Sequence, residues 1–136
     1  MPTKYFQIQD TNPDEHSQIP PMATKKTSQI TLKVQLDENK VPEQIQWDAS
    51  DNNVSNRDAR AMMLSVWDPE EQNTLRVDLW TKEMTVDEMK KFIHQSILLM
   101  ADTLQRATGE DKMADTMRDF GDYYAEKLQL IAPSNQ

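Results

Sequence analysis

The chain contains no cysteine, only two glycines and only two histidines among 136 residues. Without cysteine there is no disulfide, no thiolate metal site and no thiol nucleophile. The glycines, Gly109 and Gly121, are too few and too far apart for a phosphate-cradling loop or a dinucleotide fingerprint. His16 and His94 cannot supply the several ligands of a zinc site by themselves. No apolar run approaches the ~20 residues that span a bilayer, and Tyr5, Phe6 and Ile8 are too diluted by polar neighbours to make a secretory leader. These readings predict a cytoplasmic protein without direct membrane insertion.

What the chain has in excess is acid. Lys and Arg number 15 against 23 Asp and Glu, for a formal net charge of −8. Residues 1–27, 28–84 and 85–136 carry net charges of 0, −5 and −3, so the acidity belongs to the folded part. A phosphate backbone is repelled by such a surface, which argues against nucleic-acid binding. At this length one domain with a real core is expected. The predicted organisation is a disordered extension over 1–27, a single α+β domain over 28–132 and a short tail over 133–136. A second translation start at Met22 is consistent with the same reading.

The best-determined stretch is Ala61 to Gln95. Met62, Leu64 and Val66 alternate on one face of a strand, as do Leu75, Val77 and Leu79 on the next. Asp68-Pro69-Glu70-Glu71-Gln72-Asn73 supplies the reversal. Pairing Val66 with Leu75, Leu64 with Val77 and Met62 with Leu79 makes one face wholly apolar, and a one-residue slip would turn that face to solvent. An earlier hairpin joins Ser28–Leu36, with Ile30, Leu32, Val34 and Leu36 inward, to a short strand from Gln44 to Trp47 with Ile45 and Trp47 inward. The polar stretch 48–60 reads as a connection. Thr85-Val86-Asp87-Glu88 is a capping box that starts a helix to about Arg106, ended by Gly109.

The first helix carries a stripe of Met89, Phe92, Ile93, Ser96, Ile97, Met100 and Leu104. Asp87, Lys91, His94, Leu98, Asp102 and Gln105 fall on its opposite, solvent face. A second helix from Glu110 to Ile131 carries Met113, Met117, Phe120, Tyr124, Leu128 and Ile131, and Pro133 stops it. No strand–helix–strand crossover occurs. The expected fold is therefore α+β: a four-stranded antiparallel sheet built from two hairpins, followed by two C-terminal helices packed on one face.

No motif for catalysis, a metal or a cofactor emerges. Asp51-Asn52-Asn53-Val54-Ser55 places oxygen side chains as a calcium loop does. The glycine and the bidentate glutamate of such a loop are missing, because Asn56 and Met62 stand there. The outer face of the second hairpin is more informative. Parity points Met63, Trp67 and Trp80 outward on an otherwise polar face, and residues of this kind dominate interface energetics. These three form the candidate partner surface.

Four segments, LDENKVPEQIQWDASD (36–51), AMMLSVWD (61–68), LRVDLWTKEMTVDEMKKFIHQ (75–95) and DYYAEKL (122–128), resemble the gliding motility-associated GldC family of Bacteroidetes. With MATKKTSQIT from Met22, the resemblance covers nearly everything from that residue onward. It implies a non-enzymatic accessory protein of the gliding machinery, linked to type IX secretion and acting by protein–protein interaction. The lipoprotein GldB is the natural associate, and a second copy of the chain is another candidate partner. The alternative is a small-molecule-binding protein or unrecognised enzyme, with a pocket between sheet and helices lined by Trp47, Tyr123 and Tyr124.

Overall fold

In the computed structural model, residues 25–130 are described. The expectations for residues 1–24, including His16 and the start at Met22, and those for Ile131 and Pro133 lie outside them. The described backbone separates into two compact units, dividing after Glu83.

The first unit is all β. Strands β1 (Ile30–Leu36), β2 (Pro42–Ala49) and β3 (Val54–Ala59) form an antiparallel sheet in that order, and β4 (Ala61–Asp68) and β5 (Asn73–Trp80) form a two-stranded ribbon. The α+β class and the antiparallel pairing are as expected. The strand count is five instead of four, in sheets of three and two. The additional strand, β3, lies in the polar stretch read as a connection. Its sequence, VSNRDA, has no apolar alternation, and its four central residues are exposed. Side chains support its pairing instead: Asp58 Oδ1 accepts from Gln44 Nε2 at 3.1 Å and Gln46 Nε2 at 3.2 Å. A 3₁₀ turn at Ser50–Asn52 and a left-handed Asn53 (φ 52°) reverse the chain into it.

The β4–β5 register is the expected one: Val66 faces Leu75, Leu64 faces Val77 and Met62 faces Leu79, unbroken from Ala61–Trp80 to Asp68–Asn73. Asp68 Oδ1 accepts from the backbone N–H of Glu70 at 2.9 Å and of Glu71 at 3.3 Å, and Gln72 adopts a left-handed conformation (φ 54°) to close the turn. At the other end of the unit, Asp37 organises the β1–β2 turn. Its Oδ1 accepts from Asn39 N at 2.8 Å and Val41 N at 2.9 Å, and Lys82 donates to its other oxygen. The Lys82 contact and the turn amides hold the Asp37 carboxyl below the usual carboxylate range. Among the described residues of this unit, Ile45 is the large side chain that is fully buried, at 0% exposure.

The second unit is a helical hairpin of α1 (Val86–Thr108) and α2 (Asp111–Lys127). The capping box is present as expected. Thr85 Oγ1 accepts from Glu88 N at 3.1 Å, and Glu88 Oε2 accepts from Thr85 N at 3.0 Å. Gly109, at φ 75°, caps α1 by donating to Gln105 O at 2.9 Å, a conformation that a side chain disfavours.

The helix–helix seam departs in part from the expected faces. Leu98 and His94, read as solvent-facing, lie against α2. A Cβ built on Gly121 would meet Leu98 Cδ2 at 2.7 Å. The His94 ring stacks on Tyr124 with centroids 6.0 Å apart. Asp102 and Gln105 both accept from Arg118 Nη2. The buried seam residues are Ala101, Ala114, Gly121 and Ala125. Small side chains let the helices approach closely. Ile97 and Tyr124 of the expected stripes lie at the contact, Ile97 Cγ2 being 3.9 Å from the Cβ position built on Gly121, whereas Ile93, Met100, Met113 and Phe120 of those stripes stay exposed.

Two outcomes test this architecture. Gly121→Val drives a branched side chain into Leu98 and lowers stability in urea unfolding by about 1 to 3 kcal/mol, and Leu98→Ala in the same chain recovers part of the loss. Because the folded state depresses the Asp37 carboxyl, its contribution is present at neutral pH and lost as pH falls below the usual carboxylate range. The stability gap between the native chain and Asp37→Asn, read from urea midpoints, therefore narrows on acidification to about pH 3.

Candidate functional site

Period-two alternation along β4 and β5 assigns the candidate residues to one face of the ribbon. That face carries the pairs Ala61–Trp80, Met63–Asp78, Ser65–Arg76 and Trp67–Thr74. Trp67 is 62% exposed and Trp80 56% exposed, as parity predicts. The structure does not gather the three candidates into one patch. Trp80 sits at the base of the ribbon opposite Ala61 and Trp67 sits at its tip, six residues further along β4. At ~3.4 Å per residue that is about 20 Å. Between them Met63 is half-buried, with its Sδ 2.8 Å from Arg76 Nη2. Arg76 Nε in turn lies 2.7 Å from Asp78 Oδ1. An ion pair thus divides the face into two aromatic ends.

The other face of the ribbon is apolar and also exposed. Leu64, Val66, Leu75 and Val77 retain 45–51% of their accessible surface. The alternation that locates these residues is legible in the sequence, but it carries the expectation of burial. A two-stranded ribbon with both faces open is marginal alone in water, because its ladder has no packed face to support it. These four residues join Trp67 and Trp80 as candidate contact positions that the parity argument missed.

The helical hairpin carries a second such surface. Ile93 and Met100 on α1 and Met113 and Phe120 on α2 are each rotated by about 100° from their helix's seam residues, in the same sense, at 100° per residue. The helices run antiparallel, as the Leu98–Gly121, Asp102–Arg118 and Gln105–Asp111 contacts require. Stripes displaced equally on antiparallel helices emerge on the same side. That side exposes 37% of Ile93, 60% of Met100, 55% of Met113 and 53% of Phe120. Contiguous apolar surface of this kind marks interaction sites more often than scattered residues do.

His94 is half-buried, with its Nε2 enclosed and unbonded beside Tyr124, a placement within the seam instead of the predicted outer face. An open cleft of about 490 Å³ in the β unit is lined by Gln35, Glu43, Gln44, Asp58, Thr81 and Glu83. It includes none of Trp47, Tyr123 or Tyr124, and Asp58 within it is already engaged by Gln44 and Gln46. Among the described residues no group of three His, Asp or Glu side chains is placed to hold a metal ion, and no helix is long and apolar enough to cross a membrane.

The chain is thus an α+β protein of paired antiparallel strands and a helical hairpin, with aliphatic and aromatic side chains standing on the surfaces of both. The chain belongs to the GldC-like family: the family model described as gliding motility-associated protein GldC-like matches residues 42–130. The match begins at β2 and runs through the end of the helical hairpin, so it contains the whole ribbon and both helices. No curated protein and no solved structure matches the chain.

Proposed function

We propose that this protein is a non-enzymatic accessory of the bacterial gliding machinery that works by binding other proteins. Family membership associates the chain with gliding motility. The observation that carries the binding reading is the exposure of large apolar and aromatic side chains on a ribbon too thin to bury them. Trp residues at such positions contribute strongly when a partner desolvates them. The acidic surface around them keeps the free protein soluble and disfavours non-specific association. On this reading the protein acts in the cytoplasm, its partners belong to the gliding apparatus and the linked type IX secretion system, and GldB is a candidate among them.

Trp67 and Trp80 lie too far apart to enter one small pocket, so a partner that uses both spans the length of the ribbon. The test is affinity capture of the tagged protein from its native cells after mild crosslinking, read by mass spectrometry, with Trp67→Ala and Trp80→Ala as separate variants. The expected result is recovery of gliding or secretion components, reduced by at least one substitution in a chain that stays folded. Undiminished recovery with both variants would remove this face as the partner surface. Recovery of no gliding or secretion component would contradict the accessory role.

A further inference from the structure

We propose that β5 pairs edge to edge with β5 of a second copy, in a register centred on Val77, to give a four-stranded sheet β4–β5–β5–β4. This goes beyond the partner reading above and stands or falls separately from it.

The proposal starts from the unpaired edge. Among the described residues β5 pairs with β4 alone, and every β5 residue except Leu79 is exposed. An exposed strand edge is a template for another strand, and proteins that must stay monomeric blunt it with proline, lysine or a bulge. The segment NTLRVDLW contains no proline and no lysine, and its pairing with β4 is free of register shifts. The β5 edge is thus free of proline, lysine and bulges.

Register follows from two conditions. Cross-strand neighbours share a face, so any pairing that keeps the apolar side continuous must match Leu75, Val77 and Leu79 with members of the same set. That permits only alternate registers. Charge then selects among them. Centring the pair on Arg76 sets arginine against arginine, and centring it on Asp78 sets aspartate against aspartate. Centring it on Val77 sets Arg76 opposite Asp78 of the second copy, and Asp78 opposite Arg76. Leu75 then faces Leu79, and Thr74 faces Trp80. Opposite charges directly across a pair stabilise it and like charges oppose it. The Arg76–Asp78 contact within each strand is extended into an alternating group of four charges.

The other edge strands do not share this property. β1 (ITLKVQL) carries Lys33 and no acidic residue to oppose it. β3 (VSNRDA) carries Arg57 and Asp58 on opposite faces, so no face-matched register brings them together. β4 (AMMLSVWD) carries no cation. Of these strands, only β5 places opposite charges two residues apart on one face, flanking a hydrophobic centre. The pairing also doubles the apolar face, with Leu64, Val66, Leu75 and Val77 of each copy in one continuous surface. It relieves the constraint that a two-stranded ribbon is marginal alone, because three or more strands are needed for independent stability. Pairing at a strand edge buries less than the ~800 Å² per partner of a standard interface, so the association is weak and depends on concentration.

The test is sedimentation equilibrium of the full chain from micromolar to millimolar concentration, with Arg76→Asp and Asp78→Arg measured separately, as an equimolar mixture, and combined in one chain. The native chain is expected to dimerise. Each single inversion creates two like-charge pairs and raises the dissociation constant roughly tenfold. The mixture is expected to recover association as a heterodimer, because each chain then offers the charge that the other lacks. The double variant recovers it as a homodimer. Monomeric native protein at every concentration would overturn the proposal. So would a dimer indifferent to either inversion, or single variants that stay apart when mixed.

Discussion

Backbone pairing between β4 and β5 is the constraint from which the surface of this protein follows. The ladder runs without a break from Ala61–Trp80 to Asp68–Asn73 and so fixes, residue by residue, which side chains share a face. One face receives Leu64, Val66, Leu75 and Val77. The other receives Trp67 and Trp80, separated by the Arg76–Asp78 pair. Two strands cannot enclose either set. The ladder is held by hydrogen bonds and an anchored turn, while its apolar side chains remain open to solvent. Apolar area left in water is unrealised stabilisation at ~25 cal/mol per Å². A face of this kind favours whatever covers it.

The helical hairpin reaches a related outcome by a different route. Its seam is built from Ala101, Ala114, Gly121 and Ala125 with Leu98 set over the glycine, and the Arg118–Asp102 pair bridges the two helices. Asp102 and Asp115 together hold the Arg118 guanidinium above its ordinary value, in keeping with a cation fixed between carboxylates. Close approach through small residues leaves Met100, Met113 and Phe120 outside the seam. Both units therefore leave large apolar side chains exposed, and among the described residues Ile45 is the one large side chain that is fully buried. This distribution suits a protein whose work is done at its surface.

Much of the fold was legible in the sequence because it is written in strong local signals. The β4–β5 register follows from strict alternation, the α1 start from Thr85 and Glu88, and the α1 end from Gly109. β3 was not legible, since VSNRDA has no apolar period and is held by amide-to-carboxylate bonds from Gln44 and Gln46. The helix seam was legible only in part, for a physical reason as well. Periodicity locates the widest apolar stripe, but a close helix pair is decided by where small residues such as Gly121 allow approach. At the candidate site, parity located exposed Trp67 and Trp80, yet it could not reveal that Leu64, Val66, Leu75 and Val77 stay open. Burial depends on how many strands the sheet contains, which no single strand's pattern records.

The most direct test of the account is amide hydrogen exchange along β5, measured from dilute to concentrated protein. If a thin ribbon completed by a second copy is the correct description, amides of Asn73–Trp80 on the edge facing away from β4 gain protection as concentration rises, while those of α1 and α2 do not change. Protection of β5 that is equally high at every concentration would contradict it, and would mean that the ribbon is complete within a single chain.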